Sequence, residues 1–410
     1  MMPPNRLTAI ALLSLPLPFF AGCAGEGTAS TELAAAIDTI DGIERLHYPE
    51  AGATELPWRF DTVAVIGGFH VDDPDYQFSR VGRYGLTSDA AGNLYVFDGQ
   101  GKRIIGYRPT GEFIGTWGRE GEGPGEIGAW GAVLSMGPGD TLWLADRSNQ
   151  RITLFPVDRG EAVAIPMGEG STGFGGRLVA VPGGVLSLMS SFRFTPGENA
   201  RMPPRPVVRI SREGAITDTL WTIPAPKTDV VEMTSGNNRM MMLMSRRFSA
   251  NSSYAGFTDG RLVRQDRAEY DIRLMSADGT VWRVVQRDPL PRATTDEDRQ
   301  RVIDEILEPS DDQDEDMQRK QAEAVTFEET IPLINELVVD HRDRIWVGVS
   351  ETAPGENERL DVYSADGQLL GELRGAELPQ LFFGDGYAAR LSRDDLDVEQ
   401  IVILRLVETT

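Results

Sequence analysis

Cysteine is nearly absent: the 410 residues hold one, Cys23. A single thiol excludes an internal disulfide framework and a zinc site built on paired cysteines. Histidine is almost as rare, and His47, His70 and His341 lie too far apart in sequence to announce an imidazole cluster for a catalytic metal. Positive charge is in deficit, with 40 Lys and Arg against 63 Asp and Glu and a net charge of -23 at pH 7. A chain so acidic repels phosphate backbones and anionic bilayers, which excludes nucleic acid as the expected partner. Long apolar runs are missing too: Leu7 to Phe20 is too short to span a bilayer as a helix.

What is present is a repeat. Gly92-Asn-Leu-Tyr-Val-Phe-Asp98, with Arg103-Ile104 and Thr110-Gly-Glu-Phe113 after it, is echoed by Thr141-Leu-Trp-Leu-Ala-Asp146 and Arg151-Ile152. Asp98 and Asp146, Arg103 and Arg151, and Ile104 and Ile152 share one offset of about 48, inside the period of propeller blades. From Trp58 onward, short β-branched and aromatic runs alternate with Asp-Gly, Gly-Asn, Pro-Gly and Gly-Gly turns, as in serial antiparallel hairpins. The spacing predicts blades at 86–118, 133–166, 178–221, 259–285, 343–373 and from 387 to the end. The last lacks an outer strand, and Val63-Ala-Val-Ile-Gly-Gly68 is placed to supply it, which would pair both terminal edges. Stacked blades share one core, so residues 57–408 are expected to form a single all-β, six-bladed β-propeller. An acidic excursion with helical periodicity, residues 294–329, is expected as an insertion packed on one face or rim, with Val302, Ile303, Ile306 and Leu307 as its apolar stripe.

The amino terminus carries an address. Arg6 precedes the apolar run, and Phe20-Ala21-Gly22-Cys23 resembles a bacterial lipobox. That resemblance implies a signal peptide over 1–22, lipidation of Cys23 and attachment to the membrane through the lipid alone. Ala24 resembles the residue of lipoproteins sent to the outer membrane. Residues 23–56 read as a flexible tether, with a short helix predicted between Thr31 and His47. The repeated Gly-Asn-Leu-Tyr-Val-x-Asp, Arg-Ile and Thr-Gly-Glu-Phe pattern, followed by Gly121-Glu-Gly-Pro-Gly-Glu-Ile127, resembles NHL repeats. Together with the lipobox, the chain resembles the six-bladed β-propeller lipoproteins of bacterial envelopes, a group without one common activity.

Several motifs tempt a chemical reading. Gly168-Glu-Gly-Ser-Thr-Gly173 has dinucleotide-fingerprint spacing, but strand and turn residues follow where a helix must begin. Gly121-Glu-Gly-Pro-Gly125 lacks the Lys and Ser/Thr of a phosphate loop and reads as a turn between blades. Asp312, Asp314, Asp316 and Glu323 reproduce positions 1, 3, 5 and 12 of a calcium loop, yet Met317 stands where Gly is required; an acidic solvated face is the preferred reading. Asp98 with Arg103, and Asp146 with Arg151, flank equivalent hairpin turns; their repetition points to a structural brace, while a position in a funnel would let the arginines hold an anion. Met233, Met240, Met241, Met242 and Met244 read as adaptable packing. No cofactor is expected. The leading expectation is a non-catalytic envelope module that binds, or serves as a scaffold for, a protein, peptide or glycan. The alternative is a propeller enzyme of the gluconolactonase or strictosidine-synthase kind with a central carboxylate pocket.

Overall fold

The computed structural model describes residues 33–409 apart from 129–131, 168–173, 190–202, 226, 236–237, 310–314 and 351–357. Its core is six four-stranded antiparallel sheets arranged as a β-propeller. Blade 1 comprises Leu86–Ser88, Leu94–Asp98, Arg103–Tyr107 and Phe113–Trp117, and blade 2 Ala132–Gly137, Thr141–Asp146, Arg151–Pro156 and Val163–Pro166. Blade 3 comprises Phe174–Val181, Gly184–Met189, Arg205–Ser211 and Ile216–Ile223, and blade 4 Ser253–Gly256, Leu262–Gln265, Asp271–Met275 and Val281–Arg287. Ile334–Val339, Ile345–Val349, Arg359–Tyr363 and Leu369–Arg374 make blade 5, and blade 6 is Leu381–Phe383, Tyr387–Arg393, Glu399–Glu408 and, as its outer strand, Trp58–Gly67.

Each sheet is covered on both faces by its neighbours, so the second strands are apolar almost throughout instead of alternating; Leu94–Asp98 and Thr141–Asp146 are buried at every position. The buried side chains form one cluster between each pair of adjacent blades. Trp143 and Leu154 of blade 2, for example, meet Val185 and Val208 of blade 3, and Ile401 and Ile403 of blade 6 meet Leu94 and Val96 of blade 1. The innermost strands run parallel to one another: Leu134 N–H donates to the Tyr84 carbonyl at 3.1 Å and Met136 N–H to Thr87 Oγ1 at 2.7 Å. Every connection entering an inner strand therefore opens on the same face of the disc. On the opposite face the chain turns tightly; a Cβ on Gly92, whose φ is +81°, would lie 2.9 Å from the Gly384 Cα, so the turns of blades 1 and 6 meet only as glycines.

Over the described residues 33–56, the expected tether and its helix need correction. Ala36–Ile40 and Ile43–Tyr48 form a hairpin, the second strand pairing in parallel with Val281–Arg287 and extending blade 4 to six strands. Its turn is Asp41-Gly42, with φ of 53° and 79°, the two positive values that a twisted two-residue hairpin requires. Leu46 and Tyr48, two apart and so on one face, are buried between blades 4 and 5. The folded unit thus starts well before residue 57.

The insertion is helical as expected. Helix α1 spans Asp296–Leu307 and α2 Glu315–Ala324; Val302 is buried, but Leu307 of the predicted stripe is exposed. Thr294 N–H donates to the Glu329 carbonyl at 2.9 Å, closing the base of the excursion. A second excursion, not expected from the sequence, is a hairpin of Thr228–Ser235 with Asn238–Ser245. Asp229 Oδ2 accepts from Arg246 Nε at 3.2 Å and from Thr326 Oγ1 at 2.7 Å, tying the two excursions together.

Helix α1 begins with a capping box in which Thr295 caps and Asp298 answers. Asp298 also accepts Arg292 Nη1 and Nη2 at 2.6 and 2.9 Å and Arg301 Nη2 at 3.0 Å. The Arg292 guanidinium holds the carboxyl well below the usual carboxylate range. With a depressed folded pKa, the stabilisation is complete above the unfolded value of about 3.9 and is lost as pH falls through the folded one. Asp298→Asn should cost the insertion about 1–2 kcal/mol, seen as roughly tenfold faster amide exchange across 296–307 near pH 7. The wild type should approach that behaviour only in acid. Equal exchange in both proteins at neutral pH would refute this role.

Candidate functional site

The six inner strands enclose a channel cavity of about 200 Å³. Leu134, Leu178, Val179 and Leu381 give it apolar walls, and Arg83, Arg177 and Glu336 bring charge to it. A second cavity of about 190 Å³ lies at the end where the inner strands begin, shared by Tyr84, Arg177, Arg205, Asn251, Tyr254 and Glu336. These side chains come from connections and strand starts of blades 1, 3, 4 and 5. The mouth is thus assembled by the closed ring and by no single blade.

Its charges are unevenly matched. Arg83 Nη2 pairs with Glu336 Oε2 at 2.8 Å, with the Arg83 guanidinium over the Tyr84 ring at 5.8 Å. Tyr254 stacks edge-on against Trp221 at 5.6 Å and donates its hydroxyl to the Arg177 carbonyl at 2.7 Å, so the ring is held as a fixed wall. Among the described residues, no carboxylate pairs with Arg177 or Arg205. Burial pushes the Arg205 guanidinium below its usual pKa, and its Nε is buried without a hydrogen-bond partner among the described residues. The Tyr254 hydroxyl is pushed well above its ordinary value by burial.

The residues singled out from the sequence lie elsewhere. Asp98 accepts the N–H groups of Ser79, Gln100 and Gly101 at 3.2, 3.2 and 2.8 Å and Arg103 Nε at 3.1 Å, while Arg103 Nη2 donates to the carbonyls of Pro74 and Gln77, both at 2.8 Å. Asp146 accepts Gly128 N–H at 2.7 Å and Asn149 N–H at 3.1 Å; Arg151 donates to the carbonyls of Glu122, Gly123 and Glu126 at 2.6, 2.7 and 2.8 Å. Asp98 and Arg103 are bonded to each other, whereas Asp146 and Arg151 each bond backbone groups; all four fasten an interblade connection to a hairpin turn, and none of them lines the channel. Gly121–Gly125 folds around its own Glu126, which accepts Gly123 N–H at 2.7 Å and Arg119 Nε at 3.0 Å.

Asp312 and Asp314 lie outside the described residues, as do Cys23, the signal segment and Gly168–Gly173. Asp316 and Glu323 both stand on α2, with Asp316 accepting Lys320 Nζ at 2.5 Å. Helix occupies residues 315–323 of that stretch, so the described part does not loop as a calcium site would, in keeping with the preference for an acidic solvated face. Among the described residues, no three His, Cys, Asp or Glu side chains are gathered to hold a metal ion, and no helix is long and apolar enough to cross a membrane. The methionine-rich segment forms the second strand of the excursion hairpin. The mouth residues themselves were missed. Their one signal is position, at or just before the start of predicted strands, and many arginines share it.

No family model and no curated protein matches the chain. Solved propellers are similar in arrangement. A member of the duf4221 family from Bacteroides vulgatus is 10% identical, with a TM-score of 0.48 over 87% of this chain and all of that one. A catalytically inactive virginiamycin B lyase from Staphylococcus aureus with quinupristin is 10% identical, with a TM-score of 0.39 over 85% of this chain and 100% of that one. A gluconolactonase from Xanthomonas campestris is 13% identical, with a TM-score of 0.36 over 78% and 85%. Likeness at this level carries no activity across. The six-bladed architecture rests on this chain's own strand pairing.

Proposed function

We propose that the chain is a lipid-anchored module of a bacterial cell envelope that binds a protein, peptide or glycan partner through the face bearing the channel mouth. The observation that carries this reading is the inequality of the two faces. One face consists of short turns such as 89–93, 138–140 and 384–386, whereas the other bears the hairpin 228–245 and helices α1 and α2 as well as the cavity of the channel mouth. Elaborated connections on a rigid scaffold are where recognition is usually built. The anchor is supported by Cys23, the only cysteine, just after the apolar run.

The enzyme alternative needs several carboxylates from different blades converging on the channel. Glu336 is the acidic side chain lining both cavities, and it is already engaged by Arg83 at 2.8 Å. That arrangement favours binding over carboxylate chemistry.

The test is capture from detergent-solubilised envelopes by three purified proteins, the wild type and two variants. In the first variant, a short Gly-Ser link replaces residues 295–328, whose flanks already meet through the Thr294–Glu329 hydrogen bond. In the second, Glu112→Arg changes an exposed position on the turn face. The shortened protein should lose at least roughly tenfold of the captured partner, about 1.4 kcal/mol, while Glu112→Arg retains it. Loss confined to Glu112→Arg, or no reproducible partner with the wild type, would contradict the proposal.

A further inference from the structure

We infer that the channel mouth is an oxyanion site in which Arg177 and Arg205 hold the carboxylate or phosphate of a small ligand, or of one end of a larger partner. The inference rests on the binding reading above and adds the chemistry of what is bound.

Three observations converge on it. Arg177 and Arg205 arrive from different strands of blade 3, Phe174–Val181 and Arg205–Ser211, and line one cavity. The one carboxylate lining that cavity, Glu336, is bonded to Arg83, and among the described residues no carboxylate is bonded to Arg177 or Arg205. Guanidinium groups present forked donors that match planar carboxylate or tetrahedral phosphate oxygens, and they do so best where water is scarce. The buried Arg205 Nε adds a donor whose desolvation no acceptor among the described residues compensates.

The setting gives the site its selectivity. The chain carries a net charge of -23, so an anion is repelled over most of the surface and attracted only where cations are concentrated. Tyr84, which also lines the cavity, supplies an aromatic side chain beside the guanidinium groups, suited to a ring carrying the oxyanion. A cavity of about 190 Å³ admits a group of monosaccharide size and excludes a folded chain.

Glucuronate, glucose and inorganic phosphate are the probes, titrated calorimetrically into the mature protein at low and at raised salt. Glucuronate or phosphate should bind at the stoichiometry of one site, glucose should not, and added salt should weaken the binding. Glucuronate alone points to an acidic sugar or peptide carboxylate; phosphate alone points to a phosphorylated ligand. Arg205→Met and Arg177→Met should each weaken the bound anion roughly tenfold or more.

Arg205→Met has a second readout. Removing an unpaired, partly buried charge while keeping the aliphatic stem should leave the melting temperature unchanged or raised, even as anion binding falls. A structural arginine would lower it. If Arg205→Met fails to fold, Arg177→Met carries the test alone. Failure of both anions to bind, or binding unchanged in the variants, overturns the inference; partner capture that persists in that case leaves the broader binding reading intact. Anion binding without any captured partner has the opposite meaning.

Discussion

Asp361→Ala should lower the unfolding free energy by about 3–5 kcal/mol, read as a fall in denaturant midpoint with an unchanged slope. Asp361 is fully buried and sits at the joint between blades 4 and 5. Its oxygens meet Arg287 Nη1 at 2.5 Å, Arg359 Nε at 2.7 Å and the Tyr270 hydroxyl at 2.7 Å, and Tyr363 donates its hydroxyl to Tyr270 at 2.8 Å. Arg287 also reaches Glu372 at 2.9 Å and the Glu50 carbonyl at 3.0 Å. Burial together with the Asp361 charge pushes the Tyr270 hydroxyl far above its usual pKa. Truncating Asp361 leaves Glu372 to face both cations in a site closed to water.

The exposed Arg59–Asp61 pair provides the contrast. Its side chains are about half exposed, and Asp61→Ala should cost less than about 1 kcal/mol. A loss below about 1 kcal/mol for Asp361→Ala as well would mean that the joint is held by its apolar cluster alone.

How much of this was legible in the sequence varies with the range of the physics involved. Blades 1 and 2 were readable because Asp98 and Asp146, and Arg103 and Arg151, brace equivalent places, each fastening a turn to the connection before it. The closing strand was readable because blade 6 ran out of chain. Ser253–Gly256 escaped notice, being short and built of small residues that carry no strand signature. The hairpin 36–48 had a local signal, Asp41-Gly42, but Ile37 and Ile40 on its outer strand are exposed, which blurs the alternation.

The mouth left only the positional signal that many arginines share. Arg83, Arg177, Arg205, Tyr254 and Glu336 lie between 83 and 336 in sequence, and only closure of the ring makes them neighbours. Repetition advertised Arg103 and Arg151, which serve structure; Arg205 opens the third strand of its blade as they do, so position alone could not single it out.

Closure itself sets the second large effect: a chain begun at residue 69 should give no soluble, cooperatively folded protein, while one begun at residue 33 should unfold like the full chain. Trp58–Gly67 pairs along the whole of Glu399–Glu408. It buries Ile66 and sets Trp58 and Phe60 against Trp346 at 5.9 and 5.7 Å. Each such apolar side chain contributes about 1.5–3 kcal/mol on burial, so the strand as a whole rivals the net stability of an ordinary domain, about 5–15 kcal/mol. Its loss would also bare Glu399–Glu408 as a long apolar edge, a template for pairing with other molecules. A chain begun at residue 53 separates the two effects. It keeps the closing strand but loses Leu46, Tyr48 and the Pro49 and Glu50 carbonyls that bond Arg287. It should remain a soluble monomer, destabilised by about 3–6 kcal/mol from the two side chains alone. Size-exclusion chromatography followed by denaturant unfolding distinguishes the three. A monomeric, cooperative chain begun at residue 69 would show that five complete sheets and an unclosed sixth suffice, and that the terminal strand is an ornament of the ring.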